Sequence, residues 1–211
     1  MKKYAALVFA SALLIACGNL RSREAEHSKH EVATNSATQA AAHTDHAAMV
    51  SSPGAAEAPY DLQFIDTMIA HHQAAIDMAK LADGRADDDD LKQLATDVIE
   101  DQGAEITKLT DWRNAWFPEK PQPAINMDLP GMSHGMSGMD LGKLGTLNGK
   151  EFDMEFVTQM IPHHEGAIEM ARDLPNRTQR TELKELAGAI VTEQQEDIED
   201  MKEWSDEWRN E

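Results

Sequence analysis

The chain has 211 residues, room for one domain with tails, and a formal net charge of −19 from 38 acidic and 19 basic residues. That balance excludes a nucleic-acid partner, whose phosphates are met with Lys and Arg, and leaves a surface that attracts cations without selecting among them. With only five Phe, two Tyr and four Trp against abundant Ala, Leu, Ile and Met, the expected class is all-α.

The chain begins with a targeting segment. Lys2 and Lys3 precede an apolar stretch, Ala5 to Ala16, that is too short to span a bilayer and ends Leu14-Ile15-Ala16-Cys17. Residues 1–17 resemble a bacterial lipoprotein signal, after which Cys17 would be lipidated and become the N-terminus. Acyl chains at about 0.8 kcal/mol per buried CH₂ would hold the protein at a membrane. Gly18, rather than Asp, after the cysteine points to the periplasmic face of the outer membrane. Cys17 is the sole cysteine, so its lipidation leaves no thiol for a disulfide or a thiolate–metal bond. Any soft-metal chemistry then falls to methionine and histidine.

Residues 18–58 are polar and lack an apolar period, as expected of a disordered tether. They contain His27, His30, His43, His46 and Met49; the i, i+3 spacing of the two His pairs could support weak metal capture, although scattered histidines in a polar tail need no role.

A first helix is expected over about 60–82, with Asp61, Phe64, Ile65, Met68, His71, His72, Ala75, Met78 and Ala79 on one face. Gly84 ends it. A second helix is expected over about 87–117, opened by Asp87 to Asp90, which complement the helix dipole. Its apolar stripe is Leu91, Leu94, Val98, Leu109, Trp112 and Trp116, and Asp101, Gln102 and Glu105 fall inside that stripe. Polar groups at core positions cost free energy unless they find partners.

Residues 118–149 form a long connection with four prolines and the run Met127-Asp-Leu-Pro-Gly-Met132-Ser-His134-Gly-Met136-Ser-Gly-Met139. Loops this long inside a compact domain are usually functional or disordered. Methionines among Gly and Ser are not expected to be core residues, because nothing nearby can bury them, so Met132, His134, Met136 and Met139 are expected to form a loose, exchangeable soft-metal site.

The rest of the chain repeats the first pair of helices. Asp153, Phe156, Met160, His163, His164, Ala167, Met170 and Ala171 stand where Asp61, Phe64, Met68, His71, His72, Ala75, Met78 and Ala79 stood, 92 residues earlier. A third helix over about 149–173 carries Pro162 in place of Ala70, which should bend it before the His pair. A fourth, over about 178–209, repeats the stripe, with Glu193, Gln194 and Asp197 matching Asp101, Gln102 and Glu105. Two such hairpins should form a four-helix bundle over residues 59–211 with approximate two-fold symmetry, and the long crossover suits a ferritin-like connectivity.

A single buried His pair is more often a hydrogen-bonded core feature than a ligand, and a Met stripe is more often packing. Here the pair occurs twice, each time with Met three before and seven after its first His. Each partner helix also adds a Gln and a carboxylate. Left without partners, those groups would cost about 1–3 kcal/mol each, which favours a metal site. Thioether with imidazole suits Cu(I), while imidazole alone accepts Cu(II) or Zn²⁺. A di-iron centre would need Glu-x-x-His, and Met68, Ile69, Met160 and Ile161 occupy those positions instead.

The pattern Phe-x₃-Met-Ile-x-His-His-x₂-Ala-Ile-x-Met-Ala, followed by Gln-x₂-Glu/Asp-Ile-x₂-Leu/Met-x₂-Trp, resembles the ferritin-like domain-of-unknown-function 305 family over about residues 59–209. Met160-Ile161-Pro162-His163-His164 is its most typical segment, from which the first copy departs at Ala70. The resemblance implies a secreted or membrane-anchored bundle, and some members are similar to periplasmic copper-binding proteins of copper tolerance. The ligand set it implies is Met68, His71, His72 and Met78 with Met160, His163, His164 and Met170. Gln102, Glu105, Gln194 and Asp197 are expected to orient the imidazoles, with Asp61 and Asp153 as further supporting residues. The expected function is envelope copper buffering or transfer, to or from an unidentified copper-exporting or copper-accepting protein. A metal oxidase or peroxide-consuming enzyme and a metal-free interaction module are the alternatives. One shared ion and one ion per repeat both fit the pattern.

Overall fold

Four amphipathic segments become four long helices: α1 (Tyr60–Ala79), α2 (Asp89–Trp116), α5 (Gly149–Asp173) and α6 (Thr181–Arg209). The computed structural model describes residues 49–210, and no strand occurs among them. The lipoprotein signal, Cys17 and the tether histidines lie outside the described residues. Residues 49–58, expected as tether, are docked instead. Ser52 donates its amide to Ile125 O at 2.8 Å, Ser51 Oγ accepts from Met127 N at 3.0 Å, and a 3₁₀ turn at Ala55–Glu57 buries Ala55.

The helix ends follow local chemistry. A 3₁₀ turn at Lys80–Ala82 extends α1, and Gly84, at φ 70°, reverses the chain. Asp88 caps α2 by accepting from the amides of Asp90 and Leu91, with Asp89 and Asp90 in the first turn. Along α5 the helix continues unbroken through Pro162.

α1 packs on α2 and α5 on α6, and the two hairpins meet along α1 and α5. The pseudo-two-fold is carried by a repeated Asp near the start of each hairpin. Asp61 accepts from Arg180 Nε at 3.2 Å, where α6 begins. Asp153 accepts from the amides of Asp87 and Asp88, where α2 begins. Each therefore ties one hairpin to the entrance of the other hairpin's second helix. The shared core includes Phe64, Ile65, Leu91, Leu109, Phe152, Phe156, Leu183 and Ile190.

The crossover is ordered. Asp66 on α1 accepts from Ala124 N and Arg113 Nε, Thr67 Oγ1 accepts from Asn126 N, and Gln63 Oε1 accepts from Asn126 Nδ2. Beyond these ties come two short helices, α3 (Met132–Met136) and α4 (Leu141–Leu144), of which α3 packs on α5. The expectation that Met132, Met136 and Met139 could not be buried is wrong. They are 0%, 3% and 4% exposed, because the segment folds back onto the bundle and brings its own burial partners. Each buried Met contributes about 1.5–3 kcal/mol towards the entropy of ordering the crossover.

Candidate metal centre

Adjacent residues on a helix point about 100° apart, so each His-His pair addresses two directions. His71 on α1 and His163 on α5 face each other across the junction of the hairpins, ring centroids 3.8 Å apart and planes at 40°. His72 and His164 turn to the second helix of their own hairpins. His72 Nε2 comes to 2.9 Å from Glu105 Oε2, off the line needed for a hydrogen bond, and His164 Nε2 pairs with Asp197 Oδ2 at 3.1 Å. All four rings are fully buried.

No nitrogen of His71 or His163 makes a well-formed hydrogen bond in the protein, although the His71 backbone lies close enough to the His163 ring to oppose, as the smallest effect on it, the lowering of its pKa. Nδ1 of His72 and of His164 also lack partners. Buried polar atoms are nearly always paired with protein, water or a bound group, and here the atoms without a protein partner concentrate at one point. Burial, reinforced by the neighbouring imidazoles, pushes the pKa of His71 and of His163 well below the usual histidine value. Both rings are thereby kept neutral with lone pairs free, the form in which imidazole binds a metal.

Met68 and Met160, one turn before these rings on the same faces, are fully buried, as are Met78 and Met170. The last two stand seven residues beyond His71 and His163, about 10 Å along the axis. All eight implied ligands therefore lie inside the bundle, but they spread over more length than one coordination sphere. Among the described residues no group of three or more His, Cys, Asp or Glu side chains is arranged to hold a metal ion. An ion between these imidazoles would need thioether partners.

The supporting residues divide. Glu105 and Asp197 stand against His72 and His164 as expected, while Gln102 and Gln194 are buried with Oε1 unpartnered. Asp101 and Glu193, expected within the stripe, sit exposed at its rim. There, partial burial and neighbouring carboxylates push Glu193 up to about 7 and raise Asp101. Asp61 and Asp153 do not support the centre. They lie about ten residues, or ~15 Å, before the rings and are spent on the inter-hairpin ties.

The accessory set also separates. His134 is exposed, 3.7 Å from Glu165 Oε2, whereas Met132 and Met136 are inside, so the four residues do not form one loose site. Gly135 was missed in the sequence, yet its backbone packs directly against the His71 ring. A Cβ there would lie 2.7 Å from His71 Nε2 and 3.1 Å from His163 O. Gly166 is its counterpart on α5, where a Cβ would meet Gly131 O and Gly135 Cα at 2.6 Å. The only signal available was glycine spacing, i, i+4 between Gly131 and Gly135, opposite the Gly that follows the second His pair.

Solved structures with this architecture include CopM in its Cu(II)-bound form, 41% identical with TM-score 0.61, covering 70% of this chain and 97% of that one. CopM in the Cu(I)-bound form is 39% identical with TM-score 0.60, over 70% and 96%. A secreted protein of Streptomyces coelicolor described as DUF305 is 30% identical with TM-score 0.60, over 70% and 93%. A shorter match, 40% identical over 55 residues, is to the uncharacterized protein L153 of Acanthamoeba polyphaga mimivirus; it covers 26% of this chain and about a third (36%) of that protein. The model of the family described as "Domain of unknown function (DUF305)" matches residues 61–205, which take in both His-His helices, the crossover and nearly all of α6. With two thirds of its length matched and both halves of the buried centre inside the match, this chain belongs to the DUF305 family.

Proposed function

We propose that this protein binds copper in the bacterial envelope, buffering it or handing it on, and that the ion is held by imidazole and thioether groups of the bundle centre. The observation that carries the reading is the His71–His163 pair, two buried neutral rings 3.8 Å apart with all four nitrogens unpartnered. The likeness to CopM, whose structures include Cu(II)-, Cu(I)- and silver-bound forms, supports copper as the ion. Met68 and Met160 beside the rings favour Cu(I), since thioether sulfur is a soft ligand. Glu105 and Asp197 would fix the orientation of His72 and His164. In this reading Cys17 carries a lipid anchor and the partner is a copper donor or acceptor. The task is storage and transfer, which needs no turnover.

Cu(I) titration of the protein against a calibrated Cu(I) chelator tests this. The wild type should withhold copper that a His71/His72/His163/His164→Ala variant releases. Equal competition by the two would end the proposal.

A further inference from the structure

We propose that Met132 and Met136 belong to the His71–His163 centre itself, and that α3 is a hinged lid which brings these thioethers to the ion and must lift for it to pass. This deepens the soft-metal reading and rests on it. Residues 132, 135 and 136 share one face of the turn by their i, i+3 and i+4 spacing. Gly135 fixes where that face points: its missing side chain is the space that His71 Nε2 and the His163 backbone fill. Met132 and Met136, buried on the same face, are therefore directed into the bundle alongside two orphaned imidazoles. The opposite face carries Ser133 and the exposed His134.

The segment has the construction of a movable part. Gly131 at φ 80° and Gly138 at φ 90° bracket it, both in the left-handed region that favours glycine. Gly138 has open space around it and is the pivot, while Gly131 is seated against Gly166 O and Glu169 on α5 and must unseat when α3 lifts. Its inner contacts are apolar or glycine on glycine. Its side-chain polar ties are on the outer side, Ser133 Oγ to Met127 O at 2.8 Å and His134 near Glu165. With the lid closed, His71 and His163 have no exposed surface. Two imidazoles and two thioethers make a four-donor set suited to a soft monovalent cation such as Cu(I) or Ag(I).

The test uses the full-length protein and Cu(I) under reducing conditions. Met132→Leu/Met136→Leu keeps side-chain volume and removes the sulfur atoms. It should lower Cu(I) affinity at least tenfold and speed release to a chelator, with the metal-free melting temperature unchanged. Affinity and release within twofold of wild type would overturn the lid assignment. Should that variant fail to fold, hydrogen exchange on the wild type decides. Cu(I) should slow exchange of the Gly135 and Ser137 amides, which bond to Gly131 O and Ser133 O, at least tenfold. Unchanged exchange would overturn the proposal. Wild-type protein that takes no Cu(I), or a His71→Ala/His163→Ala variant that still takes it, removes the functional reading as well. Loss of binding in the histidine variant alone removes only the lid.

Discussion

Replacing His71 and His163 together by leucine should make the metal-free protein more stable. Both rings are fully buried and neither has a hydrogen-bond partner in the protein. Counting only one of the two unpartnered nitrogens of each ring, at about 1–3 kcal/mol, gives a minimum penalty of roughly 2–6 kcal/mol in the wild type. Leucine has nearly the volume of histidine, and imperfect repacking takes back roughly 1–3 kcal/mol. At mid-range values, about 4 less about 2, the net gain expected is about 2 kcal/mol, or a rise in Tm of about 4–8 °C for a domain of this size. A pH dependence accompanies it. The folded-state pKa values of His71 and His163 are lowered, by burial first and by the neighbouring imidazoles second. Below about pH 6.5 the unfolded chain therefore binds protons that the folded chain refuses. Wild-type stability is fully present above that pH. It falls as the pH drops towards the lowered folded-state values, by up to about 2.7 kcal/mol per pH unit for two groups. The leucine variant lacks that part of the slope. Urea unfolding of both proteins, metal-free, at pH 7.5 and 5.5 measures the two effects. A leucine variant less stable than wild type at pH 7.5, with an unchanged pH slope, would show that the rings are satisfied in the folded protein, and the case for a ligand would go with it.

Three further perturbations test the surroundings of the centre. Glu105→Gln should weaken copper binding by about 10- to 100-fold, and Asp197→Asn by less, because the Glu105 side chain is 7% exposed and that of Asp197 30%; chelator competition ranks them. Arg113→Met leaves the Asp66 carboxylate, 4% exposed, without its cation. A loss of about 3–5 kcal/mol in urea unfolding is expected, with faster proteolysis near Ala124, whose amide Asp66 also holds. Gly166→Ala puts a methyl 2.6 Å from Gly131 O and Gly135 Cα, backbone atoms that cannot turn aside. It should cost about 1–3 kcal/mol and raise hydrogen exchange across residues 131–138, whereas Gly188→Ala, with nothing within 4 Å, should be neutral or stabilising.

What could be read in the chain was whatever depends on spacing. The 92-residue repeat, the two core-facing His-His pairs and the matching stripes of α2 and α6 follow from helical periodicity. They gave the hairpins, their pairing and the family. Spacing also placed Glu105 and Asp197 opposite the histidines, because each hairpin is a local unit whose two helices meet in register. The same method failed for Asp61 and Asp153. Their position in the repeat was visible, but the partners they hold, Arg180 and the amides of Asp87 and Asp88, belong to the other hairpin.

The crossover marks the larger divide. Its Gly, Ser and Pro content predicts a loop with solvent around its methionines, since no periodic apolar face exists there to bury them. Burial came from outside the segment: Asp66, Thr67 and Gln63 pin residues 124–126 to α1, and Gly166 lets the backbone of α3 come close enough to cover His71 and His163. By itself, then, the amino-acid order determined an all-helical duplicated bundle with imidazole and thioether turned inward, because a helix's face is set by residues three and four apart. Only the tertiary structure decided that His71 meets His163 rather than His72, and that the Met132–Met136 turn lies upon them. Those contacts join residues about 30 to 90 positions apart, and no local periodicity records them.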